Sequence, residues 1–191
     1  EIFEFVAMNA VQKGRLSTLL FLIDECGYNL RNITDEDDAT LLHEACLRGN
    51  LEIVTYLLKK GFDPNQKDGA GQTAVHFAIR SPIRKNTVKI ITLLHHYNAD
   101  LNAIETQNNL SPLHVAAMWK NRTARDVLIH LKADSKIKCK NLTYVEFEAF
   151  IKKGMIKNQS PPIDLSIPEF TLSEKAISEY YKGCFLPKFN P

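Results

Sequence analysis

The chain lacks most of the features that announce chemistry. No uninterrupted apolar run approaches the length of a bilayer-crossing helix. The four cysteines (Cys26, Cys46, Cys139, Cys184) contain no C-x-x-C pair and follow no framework spacing, which is cysteine usage typical of a reducing compartment. Matches to Asn-x-Ser/Thr at Asn32, Asn121, Asn141 and Asn158 are then coincidental. There is no P-loop, dinucleotide fingerprint, G-x-S-x-G elbow or kinase signature. His43-Glu44 lacks the second histidine of an H-E-x-x-H helix, and the adjacent His95 and His96 fall on different faces of a helix. The first residue is Glu1, not Met, so the chain is read as trimmed and a missing targeting signal carries no information. Together these absences point to a non-catalytic chain without metal, cofactor or small-molecule substrate.

What remains is an ordinary globular composition. Apolar residues make up 45% and charged residues 24% of 191 residues, enough for one domain with a substantial core, alone or with an appendage. The net charge of +2 conceals an asymmetry. Residues 1–119 carry 11 basic and 14 acidic side chains, whereas residues 120–157 carry 10 basic and 4 acidic ones, among them Lys132, Lys136, Lys138 and Lys140. That basic end is far weaker than the footprint of a nucleic-acid binder, which ranks nucleic acid low among the partners.

The strongest positive signal is an echo. Thr40-Leu-Leu-His43 returns as Thr73-Ala-Val-His76 and as Ser111-Pro-Leu-His114, at intervals of 33 and 38 residues. Each copy opens with a hydroxyl able to cap a helix, and a small apolar pair follows (Ala45-Cys46, Ala78-Ile79, Ala116-Ala117). A second helical pattern rich in Val, Ile and Leu comes next. Gly61 ends the first of these patterns, Asn98 takes the corresponding place in the next, and a polar loop leads to the following copy. Five extra residues explain the longer interval: about three in 81–86, between two helices, where Pro82 marks a break, one at 97–98, and one in the loop 103–110.

These landmarks resemble the ankyrin repeat, whose T-P-L-H, A-A, L-L and G-A-D-x-N signatures they match over residues 35–136. The resemblance implies an all-α solenoid of four to five helix-turn-helix units with hairpin-like loops. The units are expected at 1–34, 35–67, 68–104 and 105–138, with a partial capping unit at 139–154. Residues 155–191 are expected to form an extended linker and a short amphipathic helix opened by Thr171-Leu-Ser-Glu174. That helix either covers the apolar end of the last repeat or touches a partner. Missing signature residues at both ends suit capping units that tolerate water on one side.

The same resemblance makes His43, His76 and His114 structural, and the repeat geometry agrees: one unit apart, they cannot converge on one metal ion. Glu44 and Cys46 do not recur in the other copies, so they share no repeated role. Function is expected on the concave face and the loop tips, as in other ankyrin proteins. Counting four and five residues past each histidine gives Leu47 and Arg48, Arg80 and Ser81, Met118 and Trp119, with Gln12 and Lys13 aligned in the first unit and Phe150 and Ile151 in the last. These positions are expected to face solvent. Trp, Met and Arg are interface-enriched types, although Trp119 alternatively shields a neighbouring repeat or packs on residues 81–86. The loop acids Asp35, Glu36, Asp37 and Asp38 are either solvated charge or a dock for a basic partner. The expected role is a protein-binding adaptor, scaffold or regulatory subunit in the cytoplasm or nucleus, without membrane insertion. The alternative is one domain of a longer enzyme or channel.

Overall fold

The computed structural model describes residues 2–153, so the expected linker and helix of 155–191 lie outside the described residues. Helices come in antiparallel pairs: α1 (Ile2–Gln12) with α2 (Leu16–Leu20), α3 (Leu41–Leu47) with α4 (Leu51–Lys59), α5 (Ala74–Arg80) with α6 (Thr87–His96), and α7 (Pro112–Met118) with α8 (Arg122–His130). A ninth helix, α9 (Tyr144–Lys152), opens the fifth unit. First helices stack on first helices (α1, α3, α5, α7, α9), and α4, α6 and α8 stack behind them, so each unit buries its apolar face against its neighbours. Length makes this necessary. Helices of 5 to 11 residues are marginal alone and owe their stability to the stack.

The small pairs Ala45-Cys46, Ala78-Ile79 and Ala116-Ala117 are all buried, which lets the inner helices approach closely. On the outer helices Ile53, Val54, Leu57, Leu58, Ile90, Ile91, Leu94, Val127 and Leu128 fill the core, whereas Val88 and Ile129 face outward despite their apolar character. In the first unit the second helix is only five residues long and continues as a π-helical turn over Phe21–Glu25, a distortion with no counterpart in the expected pattern. Nor is this unit a polar cap. Ile2 and Phe5 are 77% and 72% exposed and Phe21 is also exposed, because α1 and the π turn bury only one side of their surface.

The helix–helix turns of the second and fourth units share one design. A left-handed residue (Gly49, φ +62°; Lys120, φ +50°) precedes an asparagine that caps the outer helix, Asn50 accepting from the Ile53 amide and Asn121 from that of Ala124. The third unit replaces this turn by residues 81–86, ending in a 3₁₀ turn at Arg84–Asn86, where the sequence places its largest insertion. The insertion leans on the second unit. A Cβ on Gly49 would stand 2.8 Å from the Ile83 Cβ, and the Asn86 side-chain amide donates to the Gly49 carbonyl at 2.8 Å.

Asn121 does more than cap. Its side chain is 1% exposed for the residue as a whole, and its amide also donates to the Ile79 carbonyl of the preceding unit at 2.8 Å. Asn121→Ala is therefore expected to cost about 2–4 kcal/mol, the cap plus a stranded buried carbonyl, against about 1 kcal/mol for Asn50→Ala. Urea unfolding of the two variants checks the ordering; equal losses would mean that the bond to Ile79 contributes nothing.

On the opposite edge, hairpin tips closed by backbone bonds from Asp35 N–H to Ala39, Asp68 N–H to Gln72 and Glu105 N–H to Leu110 alternate with the helix pairs. The acid at each base folds its own loop. Asp35 accepts from the Asp37 and Ala39 amides, Asp68 from those of Ala70 and Gln72, and Glu105 from those of Gln107, Asn108 and Leu110. Loops also bond to the next loop, Gly69 N–H to the Asp37 carbonyl at 2.8 Å and Thr106 N–H to that of Ala70 at 2.9 Å. Behind them, Asn65 bonds to Asn98 and Asp100, and Asn102 to Asp134, which is the physical content of the G-x-D-x-N landmark. The last loop closes into a two-stranded hairpin, β1 (Lys138–Cys139) with β2 (Leu142–Thr143).

Candidate functional site

The repeated histidines are framework. Thr40 donates its amide to His43 Nδ1 at 3.0 Å, and Thr73 donates likewise to His76 at 3.1 Å; the Ser111 hydroxyl lies 2.7 Å from His114 Nδ1. A backbone N–H can only donate, so Nδ1 of His43 and His76 is unprotonated and the ring proton sits on Nε2. His114 Nε2 meets the Leu142 carbonyl at 3.1 Å. The backbone of Leu110 near His76, and those of Gln66 and Gln72 near His43, act to raise the pKa of the rings. Of the three rings, only that of His114 hydrogen-bonds from its helix cap to the following hairpin; Nε2 of His43 and His76 is buried without a hydrogen-bond partner among the described residues. Burial lowers the pKa of all three, that of His76 to about 4, so they are neutral at pH 7.

The capping hydroxyls were expected to serve first-turn amides. At Thr40 that contact is long, 3.4 Å, and the hydroxyl's shorter contact is to the imidazole at 2.9 Å. In the fifth unit Glu146 replaces histidine and restores the ordinary capping box, accepting from the Thr143 amide at 2.8 Å. That bond holds its carboxyl below the usual range. Burial pushes the Cys46 thiol up, which suits a packing residue and not a nucleophile. Among the described residues, no three His, Cys, Asp or Glu side chains are grouped to hold a metal, and no helix is long and apolar enough to cross a membrane.

Of the expected concave stripe, Lys13 and Phe150 at its ends are exposed, but the central members are not freely solvent-facing. Leu47, Arg48, Arg80, Met118 and Trp119 are each half-buried, with Leu47, Met118 and Trp119 packed against the core, and Ser81 and Ile151 are buried. The inner helices are so short that positions four and five past the histidine fall at their C-terminal ends, where the next unit overlaps them. Two members meet. The Arg80 guanidinium lies 5.3 Å from the centre of the Trp119 ring and 5.7 Å from that of Phe77, between cation–π partners from adjacent units. Its Nη1 donates to Gln72 Oε1 at 2.6 Å, while its Nε is buried without an acceptor. Burial lowers its pKa; the charges of Asp68 and Glu105 oppose that shift. Neither carboxylate hydrogen-bonds the guanidinium, since both serve the loop amides described above. Arg48 is engaged separately, with Glu44 at 2.7 Å, which explains how that carboxylate is 7% exposed. Leu47 and Met118 do not join the stack.

Asp35, Glu36, Asp37 and Asp38 lie on the hairpin edge, away from the Arg80–Trp119 pair. Asp35 is a loop-folding residue, Asp37 offers its carbonyl to the next hairpin, and Asp38 adopts a left-handed conformation (φ +60°). Sequence reasoning missed Gln72, Phe77 and Arg84, whose guanidinium donates to the Trp119 carbonyl at 3.1 Å. The signal was available for Phe77, which adjoins the repeated histidine and stacks 4.8 Å from His43 of the preceding unit, as Phe147 does with His114 at 5.4 Å.

Residues 7–105 match the model of the family described as ankyrin repeats in three copies. The chain belongs to the ankyrin-repeat family. Among its relatives, an ankyrin repeat protein of fowlpox virus is 40% identical over 72 residues, 38% of this chain and 15% of the viral protein. The tyrosine-protein kinase Shark of Drosophila melanogaster is 29% identical over 117 residues, 61% of this chain and 12% of the kinase. The 26S proteasome non-ATPase regulatory subunit 10 of Rattus norvegicus is 42% identical over 65 residues, 33% of this chain and 27% of that subunit. In each case the ankyrin chain spans less than a third of the relative's length. Ankyrin repeats are protein-interaction modules, and the fourth unit, beyond the matched region, carries the same Ser111-to-His114 cap and Asn121 turn.

Proposed function

We propose that this chain is a non-catalytic, intracellular protein-binding module acting as an adaptor, scaffold or regulatory subunit. Its contact surface is the concave stripe around Arg80 and Trp119. The observation that carries the reading is the stack itself: an arginine held by two rings, with a side-chain amide as its one hydrogen-bond partner, presents a half-buried, preorganised anchor of the residue types that dominate interface energetics. Leu47 and Met118 flank it with apolar surface, and the loop acids Asp35, Glu36, Asp37 and Asp38 offer a second, weaker contact. Trp119→Ala is expected to lower stability by about 1–2 kcal/mol through the lost stack, leaving the domain folded at 25 °C. Affinity purification of wild type beside this variant tests the surface. Proteins retained by the first and lost from the second, with unchanged circular dichroism, support it; identical sets from both overturn it.

A second reading is favoured by the small share of each relative that the repeats cover. It makes this chain the interaction domain of a longer enzyme or channel, as in the Drosophila kinase or the transient receptor potential cation channel subfamily A member 1 homolog of Caenorhabditis elegans. A longer open reading frame encoding a catalytic or membrane region would establish it.

A further inference from the structure

The geometry points to a second binding surface, the edge formed by the helix–helix turns, as a site for an extended acidic protein segment. The turns are consistently basic: Lys13 and Arg15 in the first unit, Arg84 in the third, Lys120 and Arg122 in the fourth. All five are exposed. The fifth inner helix ends on Lys152, ion-paired with Glu148, and is followed by Lys153, which continues the row. No acidic residue occurs within residues 12–15, 47–51, 80–87 or 118–122. In the second unit Arg48 is bonded to Glu44, so that turn contributes least.

Contacts make these turns one continuous edge. A Cβ on Gly14 would lie 3.2 Å from the Asn50 side chain, Asn86 bonds to the Gly49 carbonyl, and Arg84 reaches the Trp119 carbonyl at 3.1 Å. Over the first three hairpins the chain therefore separates charge across its width, cations along the turns and the acids Asp35 to Asp38, Asp68 and Glu105 along the hairpins with Lys67 the one exception, whereas the last hairpin is itself basic, with Lys136, Lys138 and Lys140. The near-zero net charge hides this polarity.

Spacing and chemistry select the occupant. Stacked helices stand about 8–10 Å apart, and an extended chain rises about 3.3 Å per residue. A strand running along the edge thus brings every third side chain to a new turn. Neighbouring turns lie within about one Debye length at 0.1 M salt, so their potentials add. Single-stranded nucleic acid fits less well, because such sites use aromatic platforms for the bases. The one aromatic in these turns is Trp119, and its ring carries the Arg80 guanidinium.

The test uses the full chain and a fluorescent 12-residue peptide, (Glu-Gly-Ser)4, in 50 mM salt, with a 12-nucleotide oligo-dT as comparison. The expected result is saturable peptide binding that weakens at least tenfold in 300 mM salt. A variant carrying Arg84→Gln, Lys120→Asn and Arg122→Gln should bind at least tenfold more weakly, asparagine being chosen to tolerate the left-handed backbone at position 120. Lys59→Gln, which removes an exposed cation from the end of α4 and outside these turns, should bind the peptide as wild type does, which separates this edge from cationic surface elsewhere. Absence of peptide binding, an unchanged affinity in the triple variant with its circular dichroism intact, or tighter binding of oligo-dT than of the peptide would each overturn the proposal.

Discussion

Between pH 7.5 and pH 5 the folded chain is expected to lose about 2 kcal/mol of stability from His76 alone, because its folded pKa of about 4 lies below the ordinary value of 6.5. Burial is the main cause; the Leu110 backbone opposes it, and the positive charges of Arg80 and Lys67 act in the same direction as burial. In the unfolded chain the ring binds a proton near pH 6.5; in the folded chain it resists one until about pH 4. Between those values the unfolded state holds more protons, so stability rises with pH. The contribution is complete above 6.5, falls as the pH drops through the window, and is gone below 4. His43 and His114, whose pKa values burial also lowers, add to the same slope. Urea midpoints at pH 7.5, 6.5, 5.5 and 5 measure it. His76→Gln should be less stable than wild type at pH 7.5, since it removes a fully buried ring and the Nδ1 acceptor of the Thr73 amide, yet its stability should depend less on pH. A wild-type midpoint that does not move, or a variant with the full slope, would contradict the neutral, Nε2-protonated assignment.

The fold was legible because its determinants are local and repeat. A cap hydroxyl three residues before a histidine, a pair of small residues and a left-handed helix terminus recur at fixed intervals, and each dictates one backbone event. The extra residues of 81–86 could be located because the landmarks on both sides keep their order. The π-helical turn at Phe21–Glu25 and the exposed Ile2 and Phe5 were not legible, since the first unit has no cap-and-histidine signature to fix its register. The site was legible only in part. Counting from the histidine reached Arg80 and Trp119, but not their mutual stack, which depends on Arg80 extending back along its helix toward Gln72 while Trp119 arrives from the next unit. Among the four loop acids, the structural role of Asp35 was hidden for a related reason. A carboxylate that folds its own hairpin has the same sequence appearance as one waiting for a partner, and only the amide contacts of Asp35, Asp68 and Glu105 separate the two.

Those hairpins also carry the most severe expected substitution. Gly71→Val should destabilise the chain by about 3 kcal/mol or more, combining two effects that act at one atom. Gly71 has φ +74°, where a β-branched residue is strained. A Cβ there would also stand 2.8 Å from the Thr106 Cγ2 and 3.0 Å from the Thr106 amide nitrogen, so the following hairpin would have to move. That amide and the Thr106 hydroxyl both donate to the Ala70 carbonyl, at 2.9 and 2.8 Å, and displacing them uncouples the third unit from the fourth. Gly27 supplies the control, for it has a similar φ of +70° with nothing within 4 Å of the added atom. Gly27→Ala should therefore cost only the left-handed penalty, about 1 kcal/mol, whereas Gly71→Ala should cost visibly more. The excess of the second over the first, read from urea midpoints, measures how strongly adjacent hairpins are wedged together. Because stability in a solenoid is transmitted through neighbouring interfaces, the loss should appear as earlier hydrogen exchange in α7 and α8 than in α3 and α4. Uniform exchange across all four helices would instead mean that the units unfold as one block and that no single hairpin contact governs their coupling.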